Sequence, residues 1–200
     1  MQPEEARRRF AACREPLYER ILSGAWTVDE YRRGQLAETV APWGVLPEEV
    51  LSAHCALREA AVDGTSPVPG THALLEQLRA SGLAVGVLTN GTGALLQRKL
   101  AALGLEELVD AAISAVDLGT PKPAPAAYRT AAAALGLAPT ALAMVGDHPE
   151  WDVAAALRAG YAAAVWLDRG IGVQAGELPP GAVRVRTLAE VTAALGLAAG

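Results

Sequence analysis

Three short segments of this 200-residue chain combine residue types that suit a phosphate and a hard cation. Leu88-Thr89-Asn90-Gly91 closes an apolar run with a hydroxyl and turn-forming residues. A hydroxyl followed by backbone N–H groups leading into a helix can bind a phosphate oxygen. The same residues also make an ordinary Asn-Gly turn. Thr120-Pro121-Lys122-Pro123 sets an ammonium between two prolines, which stiffen the loop and fix where the side chain points. Such a group neutralises phosphate or a carboxylate nucleophile as a point charge. A solvated loop lysine is the plain alternative. Lys99 and Lys122 are the only lysines in a chain that otherwise uses arginine, so its presence here is notable. In Val145-Gly146-Asp147-His148-Pro149-Glu150-Trp151-Asp152, one carboxylate leaves an apolar run and the other falls in the first turn of the next helix. The two can address one point, and Mg2+ takes only one or two carboxylates beside a substrate phosphate. Alternatively, Asp147 closes a turn and Asp152 serves the helix dipole.

The elements that position these segments form two groups. Up to the mid-sixties everything reads as helix, over 3–23, 27–41 and 47–61. Thr27 with Glu30 is a capping box, and Pro47 with Glu48 and Glu49 suits a first helical turn. After Pro67-Val68-Pro69-Gly70 apolar runs alternate with helices. Strands are expected at 84–88, 111–115, 141–145, 162–167 and 183–185. Helices are expected at 72–81, 93–103, 124–135, 150–159 and 188–195. That alternation predicts an α/β fold, a Rossmann-like parallel sheet covered by helices on both faces. The domains expected are 1–66, helical, and 67–200, α/β. In such sheets polar chemistry gathers beyond the carboxyl ends of the strands, where all three segments fall.

Composition narrows the partners. The chain is 52% hydrophobic and 20% charged, with a net charge of −5. It has no basic block, which argues against nucleic acid or an anionic membrane surface. No apolar run approaches the ~18–20 residues of a membrane span, and Met1-Gln2-Pro3-Glu4-Glu5 does not open a secretory signal. Cys13 and Cys55 are too few for a disulfide framework, so a reduced, cytoplasmic setting fits. Both read as small helix residues. Trp26 and Trp43 read as packing residues, His54 as a surface or capping residue, and His148 as a loop residue. Glu150 serves either a metal-bound water or the helix dipole, and Arg98 and Lys99 read as solvated.

The order and spacing of Thr89, Lys122 and Gly146-Asp147 with Asp152 resemble the haloacid dehalogenase superfamily of phosphohydrolases. That resemblance implies that Thr89 holds a phosphoryl oxygen, with Asn90 and Gly91 beside it. It implies that Lys122 stabilises the nucleophile and the transferring group, and that Asp147 binds Mg2+. Asp152 would support the metal directly or through water. Val165-Trp166-Leu167-Asp168-Arg169 looks like the family's later strand, and the helices before Pro67 look like its C1-type cap. The substrate implied is a small phosphorylated metabolite; its identity and the oligomeric state are not readable.

One part of the family pattern is missing. The reaction starts from an Asp nucleophile in Asp-x-Asp-x-Thr/Val at the end of the first strand, and no such motif occurs. Ala61-Val62-Asp63-Gly64-Thr65 keeps the trailing residues, but Ala61 stands where the first Asp belongs, and the stretch follows a helix. Asp63 is therefore read as a turn residue. In family topology the missing strand is central, between those ending at Thr89 and Asp147. Its loss would leave several unpaired backbone groups, at about 1–3 kcal/mol each where buried. The expectation is an N-terminally short chain, inactive as written, whose full-length form is a Mg2+-dependent phosphatase acting through an aspartyl-phosphate. The alternatives are an inactive relative that binds phosphate, metal or a partner, and a metal-free haloacid dehalogenase. A phosphoacceptor receiver domain would leave the helical unit and the later acidic motif unexplained.

Overall fold

The structure is a computed structural model that describes residues 2–62, 64–170 and 176–197. Asp63 lies outside the described residues. Contacts divide the chain into two units, Met1–Gly64 and Thr65–Gly200.

The first unit holds α1 (Pro3–Ala12), α2 (Arg14–Leu22), α3 (Val28–Val40) and α4 (Glu48–Ala60). The sequence predicts one helix over 3–23, whereas the structure breaks it at Cys13. Pro16 explains the break: a residue without an N–H is tolerated in the first turn of a helix, so α2 starts afresh just before it. The capping box at the start of α3 is formed. Glu30 Oε2 accepts from Thr27 N at 2.7 Å, and Glu30 N donates to Thr27 Oγ1 at 3.2 Å. Arg9 donates to the carbonyls of Thr39 and Glu38 at the end of α3, at 2.9 and 2.8 Å. Arg33, paired with Asp29 of its own helix, joins α3 to α4 through Glu48 and Ser52. Trp26 packs against Gly34, where an added Cβ would lie 2.6 Å from the indole. Trp43 departs from the packing expectation: it ends a short turn after α3 and is 39% exposed.

The second unit alternates helices and strands in the expected order. It comprises α5 (Thr71–Ala80), β1 (Gly86–Thr89), α6 (Gly93–Leu103), β2 (Ala111–Ser114), α7 (Pro125–Ala134), β3 (Ala143–Gly146), α8 (Ala155–Arg158), β4 (Ala163–Leu167), β5 (Ala182–Val185) and α9 (Val191–Ala194). β1 starts later than its apolar run, because Val85 N donates to the Asp110 carboxylate at 2.7 Å. The helix expected over 150–159 is in fact two pieces. Pro149–Ala154 is a π-type turn in which the His148 carbonyl accepts from both Asp152 N and Val153 N, and α8 follows it. Such wide turns often mark functional sites. No helix of the described residues is long and apolar enough to cross a membrane.

All strand pairings are parallel, but they form two sheets rather than one. β1 pairs with β2 from Gly86↔Ala111 to Thr89↔Ser114. β4 lies between β3 and β5, with Gly146 opposite Trp166 and Trp166 opposite Arg184. Among the described residues β1 and β3 are not hydrogen-bonded to each other. Burial reflects this. β4 is buried from Ala164 to Leu167, whereas β1 and β3 are half-buried and their first residues exposed. One core spans both sheets: fully buried Tyr128 of α7 packs with Ala115, Leu142, Ala156 and Tyr161, and Leu88 of β1 and Met144 of β3 both pack against that cluster.

Candidate active site

The site residues leave the carboxyl ends of β1 and β3 and the loop before α7. At the end of β1, Thr89 Oγ1 accepts from Gly91 N at 3.0 Å. Because the oxygen is used as acceptor by the backbone, the hydroxyl keeps its own proton to donate elsewhere. Gly93 N donates to Asp117 Oδ2 at 2.7 Å, and Leu95 N to Thr92 Oγ1 at 3.4 Å. The amide of Gly91, which the sequence reading offered to an anion, and that of Gly93 are thus used within the protein. The hydroxyl of Thr89 is what this turn presents.

Asn90 has a role that sequence reasoning missed. Its Nδ2 donates to the Lys122 carbonyl at 2.9 Å, and its Oδ1 accepts from Lys122 N at 2.7 Å. The side chain therefore fastens the Lys122 backbone to the end of β1. Ser114 of β2 adds a second fastening, donating to the Gly91 carbonyl at 2.8 Å. No local signal announces either contact, since the partners are 32 and 23 residues apart.

Lys122 is not a solvated lysine. Its side chain is 12% exposed, and Nζ lies 2.5 Å from Asp152 Oδ1. The other oxygen of Asp152 accepts from His148 N at 3.0 Å. Gly146 lets that carboxylate lie against the end of β3, since a Cβ there would overlap the Asp152 side chain. Of the two acids expected at a cation, only Asp147 offers oxygens that no protein donor holds among the described residues. Asp147 is exposed, while Asp152 is buried. The described residues contain no group of three or more metal-binding side chains. An exposed carboxylate at a strand end nonetheless fits Mg2+, which takes few protein ligands and completes its shell with water and phosphate oxygens. Both oxygens of Asp152 are engaged, by Lys122 Nζ and by the N–H of the peptide that follows Asp147.

His148 is a loop residue, as expected, but a buried one. Its Nδ1 accepts from Trp151 N at 3.1 Å, and its ring stacks on Trp151 with centroids 4.3 Å apart. Glu150 pairs with Arg158 on the exposed face. Burial pushes the Tyr128 hydroxyl well above its usual range, and that hydroxyl donates to the Trp151 carbonyl. Arg98 and Lys99 are exposed, as expected.

Comparison with known proteins identifies the family. Residues 10–160 match the family described as haloacid dehalogenase-like hydrolase. The chain is 41% identical over 123 residues to a phosphoserine phosphatase of Thermus thermophilus, covering 62% of this chain and 49% of that protein. It is 34% identical over 96 residues to (S)-2-haloacid dehalogenase 4A of Burkholderia cepacia, covering 48% of this chain and 41% of that protein. It thus spans at most about half the length of these curated relatives. Among solved structures, the HAD-type hydrolase YfnB of Bacillus subtilis, bound to magnesium, superposes with a TM-score of 0.80 at 16% identity. That match covers 98% of this chain and 84% of that one, and shows a shared fold.

Proposed function

This chain belongs to the haloacid dehalogenase-like hydrolases, and on that premise we propose that it serves the Mg2+-dependent hydrolysis of small phosphate monoesters. The nucleophilic Asp comes from a strand outside these 200 residues, and the chain alone is inactive. The observation that carries this reading is the break between β1 and β3. In the family's topology a parallel strand fills that break, and Lys122, tied to Asn90 after β1 and to Asp152 after β3, would receive its terminal carboxylate. Phosphatase relatives such as the Thermus thermophilus protein support the substrate class.

In this reading the incoming carboxylate attacks phosphorus, the bond from phosphorus to the ester oxygen breaks, and a neighbouring acid gives that oxygen its proton. Water then releases phosphate and the carboxylate. Thr89 donates its hydroxyl proton to a phosphoryl oxygen, and Lys122 balances negative charge that grows in the transition state. Asp147 holds Mg2+, which when bound supplies positive charge to the phosphoryl oxygens. Asp152 and Asn90 keep Lys122 in place. The domains are 1–66, a helical cap that shapes substrate choice, and 67–200, the core that carries the chemistry. The acidic net charge and the free thiols of Cys13 and Cys55 support a cytoplasmic protein acting on small molecules.

The dehalogenase relative supports a second reading, hydrolysis of a short 2-haloacid without metal. Both readings are tested on the chain alone and on the chain preceded by an apolar strand ending in Asp-x-Asp. The extended protein is expected to hydrolyse a generic aryl phosphate with Mg2+, and the 200-residue chain is not. Comparable turnover by the short form would overturn the placement of the nucleophile. Halide release without metal would favour the second reading, and inactivity of both forms would favour an inactive phosphate- or metal-binding relative.

A further inference from the structure

The peptide unit that joins Asp147 to His148 is gripped at both of its polar ends. On one side the carbonyl of Asp147 accepts from the indole Nε1 of Trp166 at 3.1 Å. On the other side the N–H of His148 donates to Asp152 Oδ2 at 3.0 Å. In a trans peptide these two groups point in opposite directions, so a partner at each end fixes the plane. That plane sets the backbone torsion following the Asp147 Cα, and so helps fix where the exposed carboxylate points.

Trp166 is itself held firmly. It is 2% exposed and packs with Val153, Met144, Leu157 and Ala182. The Arg184 guanidinium lies 4.8 Å from the centre of its ring, and Arg184 pairs with Asp168 at the end of β4. A strand filled only for packing would have no need of an indole among its aliphatic neighbours. A buried indole N–H needs an acceptor, and here the acceptor is the backbone of the residue read as a cation ligand. We propose that Trp166 is a positioning residue for Mg2+ binding: it orients Asp147 through the Asp147-His148 peptide, with Arg184 holding its ring. The inference rests on the assignment of Asp147 as a cation ligand and extends it to a residue that touches neither metal nor substrate.

The test uses the 200-residue protein and Mg2+ alone. Isothermal titration gives the Mg2+ affinity of the wild type, Asp147→Asn and Trp166→Phe, with circular dichroism to establish folding. Phe keeps an aromatic ring in the core and loses the donor together with the five-membered part of the indole. Loss of such an outer partner typically weakens metal affinity on the order of tenfold or more, and that is the expected result for Trp166→Phe. Asp147→Asn is expected to abolish binding. In the unmutated protein, the 1H–15N signal of the Trp166 indole is expected to shift along the same binding curve, and to stay still in Asp147→Asn. The indole measurement decides the matter if Trp166→Phe does not fold. A folded Trp166→Phe with wild-type affinity, or an indole signal that ignores saturating Mg2+, overturns the inference while leaving Asp147 as a ligand. A wild type that binds no Mg2+ removes that ligand and the inference together.

Discussion

Lys122 and Asp152 are 12% and 7% exposed, and each gives the other its counter-charge. Removing one partner of such a pair leaves a buried charge without compensation, at a cost of about 3–5 kcal/mol. Lys122→Met is therefore expected to lower stability by about that amount. The double variant Lys122→Met, Asp152→Leu should regain a large part of it, since apolar replacement of both partners is often tolerated. Urea unfolding of the two variants and the wild type checks this, and equal losses in both would argue against the pair. At this scale the sequence shows residue types and order but not partners. Thr89, Lys122, Asp147 and Asp152 stand out through strand ends, flanking prolines and the spacing of two acids. That Asn90 clamps the backbone of Lys122, or that Asp152 turns to Lys122, depends on contacts 30 or more residues apart, which leave no local trace.

Elements were legible where periodicity and punctuation agree. α6 runs over Gly93–Leu103 as read, because Thr92 caps it and Gly104, at φ +64°, ends it. The reading failed where the local backbone left regular helical geometry. Pro16 divides the first helix, and the His148 carbonyl, shared by two amides, opens the wide turn before α8. The ends of β4 and β5 carry a prediction of their own. Gly170 N donates to Asp168 Oδ1 at 2.9 Å, Arg184 pairs with Oδ2, and together they hold this carboxyl below the usual carboxylate range. A group whose pKa is lowered by folding stabilises fully above its unfolded value, about 3.9, and loses that contribution as pH falls through the folded value. The stability gap between the wild type and Asp168→Asn should therefore be widest near neutrality and close in acid. Urea unfolding between pH 7 and pH 2 measures it, and a gap that does not narrow in acid would remove Asp168 from this role.

At the scale of the whole molecule, the α/β order and the parallel pairing follow from alternating apolar runs and helices, as expected. The break in the sheet was inferred from family topology, not from any residue in the chain. It accords with the half-burial of β1 and β3, set against the deeply buried β4. Strands with an open edge hold their hydrogen bonds less securely, so amides of β1 and β3 are expected to exchange with solvent faster than those of β4. Hydrogen-exchange mass spectrometry or NMR reads this directly, and equal protection across the three strands would contradict it. The fastening at the end of β1 also bears on how the molecule ages. Asn-Gly is a dipeptide prone to spontaneous deamidation, in which the glycine nitrogen attacks the asparagine side chain to close a succinimide. Here the amide of Gly91 is turned to the Thr89 hydroxyl and both polar atoms of Asn90 are bound to Lys122. The folded chain thus keeps nucleophile and target apart, and the chemical lifetime of Asn90 becomes a measure of how seldom this part of the protein opens.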